Sequence, residues 1–162
     1  MPLRKTVITL GLILLVQLPV TAQNHRDQDS SYVKPTELKL PENVKIVLIQ
    51  EMLTITKLMG SLLEYIVQGD AMSTSHTASE IRDTNLKQEF NSRELKEIIK
   101  ILPKGFIKFD QKFHMTANEL SKAADSGDFK TAIELYTKMT QLCFSCHATY
   151  AKDRFKNLST EE

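Results

Sequence analysis

Residues 126–150, SGDFKTAIELYTKMTQLCFSCHATY, decide how this chain is read. Ser126-Gly127-Asp128 is compact turn chemistry. From Phe129 onward, Ile133, Tyr136, Met139, Cys143, Cys146, His147 and Tyr150 recur at helical spacing. The spacing therefore predicts a turn followed by an amphipathic helix that ends near residue 150. Within that helix lies Cys143-Phe144-Ser145-Cys146-His147, a C-x-x-C-H run. Positions i, i+3 and i+4 share one face of a helix, so both sulfurs and the imidazole point to the same side.

That arrangement is what covalent haem attachment requires, with two thiols for the vinyl groups and one imidazole for the iron. The chain has 2 cysteines, both in this stretch, and a C-x-x-C pair cannot staple distant parts of a fold. A thioredoxin-like redox pair would need a βαβ context that the sequence lacks. A zinc site would need a fourth ligand, and no second C-x-x-C supplies one. The prediction is one covalent haem c on Cys143 and Cys146, with His147 as the proximal iron ligand.

Upstream, the sequence is helical throughout, with few glycines and no alternating strand-like runs. A first helix is expected from Pro41, with Pro in the first turn and Glu42 favourable to the dipole. Its positions Leu48, Met52, Ile55, Met59, Leu62 and Ile66 step by four and three along one seam, and Gly69-Asp70 stops it. A second helix is expected from Thr77, where Thr77-Ala78-Ser79-Glu80 has the form of a capping box. It runs to about residue 101, with an interruption at Asn91-Ser92, and Pro103 and Gly105 close it. A third covers about residues 106–124, with Phe106, Phe109, Phe113, Ala117, Leu120 and Ala124 on one stripe. The expectation is an all-α fold, an antiparallel four-helix bundle with haem on the C-terminal helix. It occupies residues 40–157 as one domain.

The N-terminus reads as an export signal over residues 1–22. Arg4 and Lys5 precede an apolar run at 7–20, and Val20-Thr21-Ala22 suits cleavage before Gln23. The run is shorter than the roughly 20 residues of a bilayer span. Residues 23–39 are polar and read as a flexible leader. Cleavage leaves 162 less 22, or 140 residues, and removing Arg4 and Lys5 leaves 19 basic against 20 acidic residues. A formal charge of −1, without a basic stripe, gives no support for nucleic-acid binding. No other long apolar run is evident, so the exported chain reads as a periplasmic protein with no membrane association. Export also agrees with haem c, which is attached outside the cytoplasm.

The second axial ligand decides between functions. Met52 lies on the first helix's core seam and is the leading candidate, since a methionine opposite histidine favours electron transfer. Met59 on the same seam ranks behind it, and a methionine at such spacing is also ordinary core filler. His114 would give a bis-histidine iron but flanks the Phe109 and Phe113 stripe as a boundary residue would. His25, in the leader, and His76, in a loop, are poorly placed. If Leu53 covers the distal face instead, the iron is five-coordinate and binds small gases. Lys130, Lys138, Lys152, Arg154 and Lys156 lend the last helix a basic surface that can steer an acidic redox partner or simply face solvent. No nucleophile or acid–base set accompanies the haem residues, so an enzyme is not expected.

With these residues in place, the chain resembles the cytochrome c-prime family, the class II cytochromes c. The resemblance rests on Pro41-Glu42 leading through Leu58-Met59-Gly60 to Val67-Gln68-Gly69, on Ser126-Gly127-Asp128, and on residues 143–147 with Tyr150 three further on. It covers nearly all of residues 41–156. It implies a four-helix bundle with haem near one end, often as a homodimer. It implies either a five-coordinate protein binding nitric oxide or carbon monoxide, or a low-spin electron carrier with a first-helix methionine. Counting from Pro41 puts the family's distal position at Met52, while counting back from Gly69 puts it at Leu53. The chain departs from the family four residues after His147, where a basic residue is frequent and Ala151 stands here, followed by Lys152.

Overall fold

A computed structural model describes residues 36–84 and 90–158. The expected signal segment, and the leader up to residue 35, lie outside the described residues. Among the described residues the secondary structure is entirely helical: α1 (Glu42–Gln68), α2 (Ala71–Asp83), α3 (Ser92–Ile101), α4 (Lys104–Asp125), α5 (Phe129–Tyr150) and a 3₁₀ turn at Lys156–Leu158.

Helix ends follow local chemistry. Pro41 precedes α1, and Gly69 ends it in the left-handed region at φ 70°, where a side chain would be strained. Gly69 N–H donates to the Ile66 carbonyl and Asp70 N–H to that of Tyr65. Asp70 at once caps the next helix, its carboxylate accepting from Ser73 N–H at 3.0 Å. Helix α2 therefore begins at residue 71, not at Thr77. The Thr77–Glu80 pattern sits inside the helix with Thr77 buried; the nearer Asp70 cap, set by the Gly69 turn, takes precedence. The interruption expected at Asn91-Ser92 is a full break. Asn91 Oδ1 accepts from Glu94 N–H, and Glu94 Oε2 accepts from Asn91 N–H, so the real capping box starts α3. Asp128 caps α5 through Thr131 N–H at 3.0 Å.

Helix α2 packs most extensively on α4, and α4 on α5; α1 lies on α2 and touches α5 along a shorter stretch. The core gathers Ile55, Leu62 and Ile66 of α1 with Ala78, Ile81, Phe113, Ala117, Leu120, Ala132, Met139 and Leu142. At the α2–α4 contact the alanines let the backbones approach. Ser121 there shares hydrogen bonds of 3.0 Å with Ser75 and with Ser79.

Helix α1 carries a second apolar stripe at Ile46, Ile49, Leu53, Thr56, Gly60, Leu63 and Val67, again stepping by three and four. This one faces outward, with Leu53 56% and Val67 76% exposed. Between Ile46 and Leu63 only Glu51 and Lys57 are charged. By length and composition α1 could cross a membrane, a property missed when only its inner seam is read.

Candidate haem-attachment site

Cys143, Cys146 and His147 fall on the last two turns of α5, and all three are half-buried. Cys143 packs against the core. Both cysteines are free thiols. Burial raises the Cys143 pKa. Cys146 is pushed up to about 12, by burial first and then by Cys143 and Asp110. Both thiols therefore stay protonated at neutral pH. His147 is shifted the other way, its pKa lowered by burial first and then by the Arg154 guanidinium. A neutral imidazole keeps a nitrogen lone pair for a metal.

Tyr150 anchors the end of this helix. It is buried, with its ring edge-on to Phe106 at 5.7 Å and to Phe109 at 6.2 Å. Gly105 makes room for it: a Cβ there would collide with the Tyr150 hydroxyl. Thr36 and Leu38, ahead of α1, belong to this anchor too. Thr36 N–H donates to the Thr149 carbonyl at 2.7 Å, and Leu38 N–H to that of Tyr150 at 3.2 Å. Thr36 and Leu38, at the end of the expected leader, are thus hydrogen-bonded to α5.

Met52 and Met59 are partly buried and pack against the core cluster, whereas Leu53, one residue on, projects into solvent. His114 is engaged elsewhere. Its Nδ1 lies 2.9 Å from the Ile81 carbonyl, and its Nε2 lies 3.4 Å from Asp110. Both ring nitrogens thus have partners other than the residues of α5. His76 is exposed, 3.8 Å from Glu80, and His25 lies outside the described residues. Among the basic residues of α5, Lys138 sits 3.7 Å from Glu119.

Two features escape the sequence reading. The first is a polar cluster of Glu51, Asp110 and His114 where α1 and α4 come near the cysteines. Glu51 Oε1 is buried without a hydrogen-bond partner. Its carboxyl is pushed up to about 7, by burial and then by Asp110, with His114 opposing. Asp110 and His114 stand at i, i+4 inside an apolar stripe, a spacing that could have flagged them. The second is Phe155, whose ring stacks on that of His147 with centroids 4.5 Å apart and planes 10° apart. It lies past the helix, where periodicity carries no signal.

The donor set fits haem c: two neutral thiols and a neutral imidazole on one helical face, none tied up in a disulfide. Among the described residues no three His, Cys, Asp or Glu side chains are grouped so as to hold a metal ion. Comparison with protein-family models, with curated proteins and with solved structures finds no match.

Proposed function

We propose that this protein is an exported c-type cytochrome, an antiparallel four-helix bundle of α1, α2, α4 and α5. It holds one haem on Cys143 and Cys146, and carries electrons to and from partner redox proteins. The observation that carries this is the placement of the Cys143 and Cys146 thiols and the His147 imidazole on one face of α5. Each S–H would add across a vinyl double bond, the sulfur to one carbon and the hydrogen to the other, with no net oxidation. His147 supplies the proximal nitrogen and Met52 the distal sulfur. The inward position of Met52 and the outward position of Leu53 favour this pair over an open iron guarded by Leu53. Bound haem supplies a one-electron couple, which a methionine ligand raises in potential. The chain's own contribution is to hold the ligands, exclude water and present an edge to partners.

The test is the visible spectrum of the exported holoprotein, oxidised and reduced, before and after carbon monoxide. A low-spin spectrum indifferent to the gas is expected. Absence of covalently retained haem overturns the proposal, and a high-spin spectrum that shifts promptly with the gas replaces electron transfer by gas binding. Met52→Ala should convert the low-spin iron to high-spin; an unchanged spectrum removes Met52 from the ligand set.

A further inference from the structure

We propose that Phe155 is a positioning residue for His147: its ring, turned back over the end of α5, fixes the plane in which the imidazole stands. This rests on the reading of His147 as a haem ligand.

The geometry starts at the last turn of α5. Ala151 N–H donates to the His147 carbonyl at 3.0 Å. The Ala151 carbonyl then accepts from Arg154 N–H at 3.1 Å and from Phe155 N–H at 3.0 Å. Those two bonds reverse the chain and set the Phe155 ring flat on the imidazole, 4.5 Å between centroids and 10° between planes. Leu158 N–H donates to the Phe155 carbonyl at 2.9 Å, and Asp153 N–H reaches the Glu37 carboxylate at 3.2 Å. The turn is therefore held from α5, from its own 3₁₀ end and from the segment that precedes α1.

The imidazole needs such a neighbour. Rotation about the bond between a histidine's Cβ and its ring is a broad, two-fold torsion. A metal-binding histidine ordinarily has its other ring nitrogen fixed by a carbonyl or carboxylate. No hydrogen bond to the His147 side chain is present among the described residues, and the flat contact with Phe155 takes that role. Arg154 adds charge: its guanidinium carbon is 5.8 Å from the Phe155 ring centroid, and it acts on His147 electrostatically. A ring steered by stacking, with a cation nearby and no acceptor, is a weaker donor than one hydrogen-bonded to a carbonyl.

The test compares wild type with Phe155→Leu, which removes the stacking face, and Phe155→Tyr, which keeps it. In the oxidised holoprotein the hyperfine-shifted haem methyl resonances report the imidazole plane. Phe155→Leu should change their order and spread, while Phe155→Tyr should leave the wild-type pattern. Covalent haem is measured on all three proteins, and equal loading is expected. An unchanged pattern in Phe155→Leu at full loading overturns the positioning role while leaving the haem reading intact. If wild type retains no haem, the haem reading fails by itself. The contact is then judged in the haem-free chain, where the ring-current shift of the His147 carbon-bound protons should vanish in Phe155→Leu. A shift that persists overturns the contact.

Discussion

The contact between α2 and α4 and the outward side of α1 are both lined by small and apolar residues, yet only the first is closed. At the former, Ala78, Ile81, Ala117, Leu120 and Ala124 are fully buried, and the Ser75, Ser121 and Ser79 hydroxyls fix how the helices meet. At the latter, Ile46, Leu53, Leu63 and Val67 line a stripe about 31 Å long by the rise of a helix. Of the 27 residues of α1 only Val44, Ile55, Leu62 and Ile66 are buried. Helix α5, with both thiols and His147, is braced by α4 and by residues 36–38. Among α1, α2, α4 and α5, helix α1, with Met52, has the smallest share of buried residues. The two proposed iron ligands thus come from parts of the molecule with unequal support.

The comparison breaks most sharply on core truncation. Leu120→Ala should cost about 2–5 kcal/mol of unfolding free energy, the range for emptying a fully buried leucine site, read by denaturant titration. A loss near that of a surface change would mean the α2–α4 contact is looser than its burial implies. Hydrogen exchange comes next. Amides of α1 should open with a free energy lower than those of α4 by about 1 kcal/mol or more, and equal protection would erase the distinction. Ser121→Ala leaves two half-buried serine hydroxyls short of a partner, with an expected cost of about 1–2 kcal/mol.

A smaller effect is expected from pH. Burial disfavours a charged imidazole at His114, but Asp110, the Ile81 carbonyl and Glu51 outweigh it and raise the pKa above 6.5. The folded chain then holds that proton more tightly than the unfolded chain. The stabilisation is complete below 6.5 and is lost as pH rises through the raised value. Thermal scans should show Tm falling over that interval, with a shallower fall in His114→Gln; equal slopes would remove His114 as the source. Smallest of all, Leu53→Ser should change stability by no more than about 0.5 kcal/mol. A larger loss would show that the outer stripe is covered in solution.

Much of this was legible beforehand, and the misses have definite causes. Pro41 and Gly69 mark the ends of α1 because each imposes a backbone angle, whatever the tertiary context. The C-x-x-C-H run places its three side chains on one face for the same local reason. Thr77 misled because a capping pattern is only potential chemistry: Asp70 lies directly after the Gly69 turn and starts the helix six residues earlier. Met52 and Leu53 illustrate a different limit. Both belong to runs stepping by three and four, and periodicity gives no way to tell which run meets the protein and which meets water. Phe155 depends on a turn that brings separated residues together, which no repeat announces.

Helix α3 has a consequence of its own. The helices α1, α2, α4 and α5 close a circuit of contacts, each touching the next, and α3 has no extensive contact with any of them. Its capping box gives it an independent start, and its outer side shows Ile99 and Ile101 to solvent. The stretch between α2 and α4 is thus a place where chain length can drift over generations at little energetic cost. An insertion or a shortening there would leave the spacing of Met52, Cys143, Cys146 and His147 untouched. Divergence should concentrate in this link, and an inserted reporter is best accommodated there.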